Sequence, residues 1–473
     1  MEGNSIDSPI PARMVATQSR KPALKIVFGV PWFLPDSIGG TEVYVAGLAE
    51  ELQTLGIECV VAVPGKNDKF TTSSYRNIRT VQYPTPQGQE EPQDILASKP
   101  VNAFNDWLSS ERPDIYHQHD WSLNCGLPHL TAAKEMGIPA FMTVHLAKLI
   151  CISATMICEG VSQCDGQIIE QRCARCFMKS RGVPSGLAAP LAGISAPVSA
   201  TLRNLPGVGR LVSSRMRARR VLEGVKRVSE TVDCIITVSQ WLRSALLING
   251  VPEERTAFVR SGVHPEVAAL ANPRARESNK LLRIGFLGRL IEPKGLHVLI
   301  AALQRLSKMG TPFHLKVLGL TDNGRPSVAY RERLEKMAAG EPQIHFLYNQ
   351  PRAAINDFYE NIDVLAVPSQ LLENAPLVVL EANAWKIPVI GSDLGGIREM
   401  VRDQVDGVLV PHSDVDAWTN ALDRLAREPA ILQRLRSNIS SVRTMRETAL
   451  EMADLYRNVI ETGRSAALPE RSH

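Results

Sequence analysis

Aromatic residues make up only 5% of this 473-residue sequence, and long apolar runs are missing. The longest uncharged stretch, Val183 to Leu202, contains Pro184, Pro190 and Pro197 among Ala, Gly and Ser, which makes it a poor membrane-spanning helix. The first 20 residues lack the apolar core of a secretory signal. Together these absences predict a cytoplasmic protein. Neither sign of charge dominates: the formal net charge is +4, too small at this size to call for a nucleic-acid partner. No short-period repeat is present, which excludes a solenoid. What remains is an ordinary globular composition, 44% hydrophobic and 22% charged, in a chain long enough for about two to three domains.

The apolar segments alternate with helical spacing. LKIVFGV (Leu24 to Val30), IECVVAV (Ile57 to Val63), PDIYHQH (Pro113 to His119), IPAFMTVH (Ile138 to His145) and DCIITVS (Asp233 to Ser239) read as strands. Short continuous apolar runs suit parallel strands buried on both faces. A polar segment, His264 to Lys280, reads as a linker. Beyond it the pattern restarts with LLRIGFLG, FHLKVLG, QIHFLY, DVLAVPS, IPVIGS and DGVLV. Two alternating series predict two doubly wound, Rossmann-like α/β domains facing each other. The expected boundaries are 21–263 and 281–445, with an insertion at 146–228 and a C-terminal helix and tail, 446–473, packing back on the first domain.

Three loops of the second half carry chemistry. GRLIEPKG, Gly288 to Gly295, follows a strand: glycine permits a tight turn, Arg289 can fork onto diphosphate oxygens, and Lys294 stands at the start of the next helix. PSQLLENAPLVVLEA, Pro368 to Ala382, places Glu373 in a loop and Glu381 two turns beyond a helix start near Pro376, where a carboxylate can accept ribose hydroxyls. GSDLGGIREMV, Gly391 to Val401, sets paired glycines before another helix, which predicts free amides at the sheet's carboxyl edge. The Asp414-Val415-Asp416 triplet reads as a helix N-cap. In the first half, Gly39-Gly40-Thr41-Glu42 opens a helix with Thr41 as the expected N-cap.

The run from Gly288 to Pro411 resembles the donor domain of family-4 retaining glycosyltransferases, whose fold is GT-B. The resemblance rests on Arg289, Lys294, the Glu-x7-Glu pair Glu373/Glu381 and SDLGGIREMV, and it extends through most of the first domain. It implies transfer of a sugar from a nucleoside-diphosphate sugar, UDP- or GDP-linked, to a hydroxyl of a glycan or lipid-linked acceptor, in glycan or surface polysaccharide assembly. Arg289 and Lys294 would neutralise the leaving diphosphate. Glu373 would face the transferred sugar and Glu381 the ribose. Asn374, Ala375, Pro376 and Leu377 would supply contacts to sugar and phosphate, and no catalytic metal would be needed. Gly39 and Gly40 resemble the family's glycine loop beside the diphosphate, and His145 its histidine near the reacting centre. His117 and His119 resemble a family strand end. Family members usually follow the histidine with Asp, whereas Leu146 stands here. A nucleotide-sugar 2-epimerase shares the architecture but lacks Glu-x7-Glu in this context. A silent scaffold or sensor would not need Arg289, Lys294 and Glu373 intact.

Five of eight cysteines fall between Cys151 and Cys176. Without an export signal such clustering favours metal over disulfides, with unligated thiols and an iron–sulfur cluster as alternatives. Cys59, Cys125 and Cys234 read as core residues. Some family members carry a similar insertion six residues after the histidine. That resemblance implies Cys151, Cys164, Cys173 and Cys176 as structural zinc ligands, with Cys158 spare. The basic segment Arg210 to Arg227 is a candidate contact with the inner face of an anionic membrane, or else a solvated helical face.

Overall fold

The computed structural model describes residues 24–65, 68–85, 95–96, 101–202, 209–271, 281–321, 324–351 and 354–463. The amino-terminal 20 residues, linker residues 272–280 and tail residues 464–473 lie outside them. In chain order the strands are β1 (Lys25–Gly29), β2 (Glu58–Pro64), β3 (Thr71–Tyr75), β4 (Ile78–Tyr83), β5 (Ile115–His119), β6 (Ala140–Val144), β7 (Ile157–Cys158), β8 (Ser162–Gln163), β9 (Cys234–Thr237) and β10 (Thr256–Phe258). The second half adds β11 (Leu282–Arg289), β12 (Phe313–Leu320), β13 (Ile344–Tyr348), β14 (Val364–Val367), β15 (Val389–Ser392) and β16 (Gly407–Val410).

Every strand expected from an apolar run is present. Short or polar strands escaped that reading: β3, β4, β10 and the small hairpin β7–β8. The first sheet has the order β10-β9-β6-β5-β1-β2-β4-β3, and the second β13-β12-β11-β14-β15-β16. All pairings within these two sheets are parallel except β3 with β4. Numbered within its own half, the second sheet runs 3-2-1-4-5-6, the doubly wound order whose direction of winding reverses between β11 and β14. The first sheet reverses between β1 and β5. Loops diverge at such a point and open a crevice at the carboxyl edge. The chain is therefore an α/β protein of two Rossmann-like units, each with its own buried core.

The helix Met445–Thr462 crosses from the second half to the first. It starts in a capping box, the Thr444 hydroxyl accepting from the Glu447 amide while the Glu447 carboxylate accepts from the Thr444 amide. Its apolar residues recur at helical spacing, and Met445, Ala449, Met452, Leu455, Tyr456 and Val459 are buried against the helix Gly40–Thr54, in one core with residues of β1, β2 and β6. Each large side chain so buried stabilises the docking by roughly 1.5–3 kcal/mol.

Two local expectations change. The stretch from His264 is not purely a linker: Pro265–Leu270 is a short helix, and the His264 imidazole accepts from the Glu266 amide. The first helix, Gly40–Thr54, has Gly39 as N-cap. Thr41 is spent elsewhere, donating to Asp120 at 3.3 Å.

Candidate functional site

β11 delivers Arg289, exposed, to the reversal point of the second sheet. The chain then turns through Glu292–Lys294 into the helix Leu296–Lys308, with Gly295 at φ +71. A Cβ on Gly295 would lie 1.8 Å from the Pro368 carbonyl, so only glycine lets the loops after β11 and β14 touch. That contact brings Lys294 onto Glu373. The ammonium donates to Glu373 Oε1 at 2.6 Å, and the Ser369 hydroxyl donates to the same oxygen at 2.7 Å. Burial pushes the Glu373 carboxyl up, but Lys294, the Ser369 bond and the charge of Arg289 outweigh it and hold it below the usual glutamate value.

Gly395 and Gly396 pack under this loop. The Gly396 amide donates to the Glu373 carbonyl at 2.7 Å, and a Cβ there would meet the Asn374 carbonyl at 1.7 Å. The amide expected to be free is thus engaged: the glycine pair shapes the Glu373 loop from beneath. Pro376 is the N-cap of the helix Leu377–Ala384. On that helix Glu381 is 8% exposed and accepts from the Tyr359 hydroxyl at 2.8 Å. Asp414 caps the helix Val415–Arg427 by accepting from the Ala417 amide, as its position in the sequence indicated.

The first sheet supplies the opposite wall. β5 is buried along its length although it reads Ile-Tyr-His-Gln-His. Its histidines are therefore partnered: His117 bonds the Tyr456 hydroxyl at 2.6 Å and Thr143 at 2.8 Å, and His119 Nδ1 meets His145 Nε2 at 3.0 Å. Burial is the main cause lowering the pKa of all three histidines, so they are neutral near pH 7. Asp120, which sequence reasoning passed over, ties the loops together. Its carboxylate accepts from the amides of His145 and Leu146 at 3.1 Å each and from Thr41, beside Gly39 and Gly40. The only signal for it was its place directly after β5.

The two walls are in contact. Asn374 donates to the His145 carbonyl at 2.6 Å and accepts from Ser239 at 3.3 Å. The Trp241 indole donates to the Glu373 carbonyl at 2.9 Å. Glu399 accepts from the Gln240 and Trp241 amides at 2.9 and 2.7 Å, satisfying a helix N-terminus of the first half from the second. Glu373, Asn374, Lys294 and His145 are thereby gathered, with Arg289 and the Gly39–Gly40 turn on the flanks. Ser239, Trp241 and Glu399 carried no sequence signal because their partners lie more than 100 residues away.

The cysteine nodule reaches the same loop, the Leu372 amide donating to the Thr155 carbonyl at 2.9 Å, and it meets the loop after β16 where His412 bonds the Val161 backbone. Cys59, Cys125 and Cys234 are buried core residues. Among the described residues no group of three or more His, Cys, Asp or Glu is arranged to hold a metal ion. Cys151, Cys164, Cys173 and Cys176 share one nodule, close enough for their charges to interact. Cys176 accepts from the Glu159 amide at 3.1 Å. Burial, with neighbouring thiols adding, pushes Cys173 up to about 11 and Cys176 up to about 12.

Solved structures with this architecture are GT-B glycosyltransferases. Sucrose-phosphate synthase from Thermosynechococcus elongatus superposes with a TM-score of 0.62 at 19% identity, covering 93% of this chain and 99% of that one. HepE from Anabaena, in complex with UDP and glucose, gives 0.58 at 15%, covering 92% and 100%. Residues 271–442 match the model "Glycosyl transferases group 1" and residues 39–262 the model "Glycosyl transferase 4-like domain". The chain belongs to this family of GT-B glycosyltransferases. Curated relatives include the amylovoran biosynthesis glycosyltransferase AmsK of Erwinia amylovora, 27% identical over 51% of this chain and 60% of its own length. A D-inositol 3-phosphate glycosyltransferase of Corynebacterium urealyticum is 30% identical over 37% of this chain. The matches span 43–61% of the length of the first of these relatives.

Proposed function

We propose that this protein moves a sugar from a UDP- or GDP-linked donor to an acceptor hydroxyl with retention at the anomeric carbon, in the assembly of a glycan or surface polysaccharide. The observation that carries the reading is the Lys294–Glu373 pair at the reversal point of the second sheet, with Arg289 beside it and His145 across the cleft. The complex of HepE with UDP and glucose supports a nucleotide-sugar donor for this architecture.

As the sugar–phosphate bond breaks, negative charge gathers on the leaving diphosphate. Arg289 and Lys294 are fixed cations for it, stabilising the transition state beyond the ground state. In this proposal they do the work that a metal would otherwise do. Glu373, kept ionised by Lys294, faces the sugar and accepts from its hydroxyls, and Glu381 accepts from the ribose. Neutral His145 holds a hydroxyl without adding charge. The acceptor attacks from the face the diphosphate leaves, passing its proton to that phosphate. The contacts of Asn374, Trp241 and Glu399 across the cleft support a closing motion that excludes water. We place the enzyme on the cytoplasmic side of the membrane that holds its acceptor.

The test is a panel of UDP-, GDP- and ADP-sugars read by hydrolysis and by thermal stabilisation. One base should stabilise the wild type and fail to stabilise Lys294→Gln. If no nucleotide sugar shifts the unfolding temperature, the reading is wrong.

A further inference from the structure

Charge in this chain is divided unevenly. The insertion, residues 146–228, holds thirteen Lys and Arg against four Asp and Glu, a net of +9 in a chain whose total is +4. From Gln171 to Leu222 there is no acidic residue at all, while ten are basic. In the middle of this stretch Ser185–Ala192 and Ala196–Leu202 form two helices without a single charged side chain.

A surface helix of a soluble protein ordinarily turns a charged face to water. This pair does not. Ala188 and Ala192 pack on Ala174 and Met178, forming a small core of their own. Ala196–Leu202 also packs against Ser214–Thr231, yet an apolar surface stays open: Leu187 is 59% and Val198 51% exposed, and Pro190 and Pro197 are exposed too. Arginines border it. Arg215 donates to the Gly193 carbonyl at the end of the first helix. Arg181 and Arg217 flank the Phe177 ring at 3.6 and 5.0 Å, and Arg210 lies close enough to Arg181 for their charges to repel.

The long basic helix Ser214–Thr231 is not itself the apolar contact. Its Ala218, Val221, Val225 and Val228 face the core of the first half, and Glu170 pairs with Arg215 and Arg219. The open apolar surface lies on the two uncharged helices beside it.

We infer that the helices Ser185–Ala192 and Ala196–Leu202, with Arg181 and Arg210 at their border, dock on an anionic phospholipid bilayer. Leu187 and Val198 would enter the headgroup boundary while the arginines meet lipid phosphates, the pairing of apolar face and basic rim that interfacial helices use. A nucleic-acid surface would account for the arginines but not for an uncharged, exposed helix pair. The same insertion touches the Glu373 loop through Thr155 and Leu372. Docking would therefore hold the cleft beside the bilayer, where an acceptor carried on a lipid is presented. That last step rests on the proposed sugar transfer, whereas the docking does not.

The experiment is sedimentation of the full chain with vesicles of phosphatidylcholine, with and without phosphatidylglycerol, at low and high salt. The wild type should bind only the anionic vesicles and release in high salt. Arg181→Gln with Arg210→Gln should weaken binding by roughly 25-fold, about 5-fold for each arginine. Leu187→Gln with Val198→Gln should weaken it about tenfold. Both double variants change exposed side chains, and unchanged unfolding temperatures would verify that they fold. Absence of binding in low salt overturns the proposal, as does binding that neither double variant weakens. Retention of the apolar double variant on duplex DNA as tightly as wild type, with no vesicle binding, would mark a nucleic-acid surface instead. Lys294→Gln should lose nucleotide-sugar stabilisation yet bind vesicles normally. A wild type that binds vesicles but responds to no nucleotide sugar would sink the transferase reading alone.

Discussion

The two halves of the molecule are wound alike but handle polarity at their centres in opposite ways. The second half gathers charge: Lys294, Arg289 and Glu373 meet at the reversal between β11 and β14. The first half gathers neutral imidazoles and hydroxyls, His117, His119 and His145 with Thr143 and Tyr456, and its one carboxylate there, Asp120, is engaged by the His145 and Leu146 amides. The difference matches the two sides of the proposed reaction. A departing diphosphate needs fixed cations, whereas hydroxyls need partners that orient them and leave the field unchanged.

The largest effect should come from cutting the charged side. Lys294→Gln is expected to lower kcat by about 10³-fold, as loss of a preorganised electrostatic group does. Because it leaves Glu373 nearly buried without its cation, stability should fall by about 1–3 kcal/mol, less than for a fully buried pair since Lys294 keeps 25% of its side chain exposed. A kcat change under tenfold would break the contrast between the halves.

Acid titration separates the buried histidines from Glu373 by pH. The buried histidines have folded values below the ordinary 6.5, so the unfolded chain takes up protons first. Stability should be full above pH 6.5 and fall below it, by about 1.4 kcal/mol per pH unit for each histidine still neutral in the folded state. Glu373 is shifted down from 4.5, so its contribution is present above that value and is lost only as pH falls through the lower folded value. Denaturant melts from pH 8 to 4 should therefore show a first decline near 6.5, retained in Lys294→Gln. A flat profile down to pH 5 would show that the histidines are not held neutral.

Asn374→Ala removes the bonds to the His145 carbonyl and Ser239 that join the walls. It should reduce kcat/KM by about 10- to 100-fold through misplacement of the Glu373 loop, with little change in unfolding temperature. The smallest effect is expected on the first half alone. Tyr456→Phe deletes the hydroxyl on His117 and should cost about 1 kcal/mol in urea unfolding, with kcat within roughly twofold of wild type.

Reading the site from the sequence worked where a functional group is set by its neighbours along the chain. Gly288 to Gly295 and Pro368 to Ala382 each follow a strand that every apolar residue announces, so Arg289, Lys294 and Glu373 could be named together. The glycine pair at Gly395 and Gly396 was visible, but its use was not: whether an amide meets a ligand or the Glu373 carbonyl depends on how closely two loops pack. The cysteines show the same limit. Their spacing suggests a metal knuckle, whereas ligation depends on where the thiols point in the folded nodule.

By itself the sequence determined the strand–helix alternation, the division into two wound halves, the cations of the donor loop and the basic, acid-free insertion. These follow from local composition and period, which act within a few residues. Only the tertiary structure decided that Asp120 holds the His145 and Leu146 amides, that Asn374 bridges to His145, that Glu399 satisfies a helix of the other half, and that two uncharged helices are left open at the surface. Such contacts come from strand order and from the approach of loops more than 100 residues apart, and buried polar groups must find partners wherever that order places them.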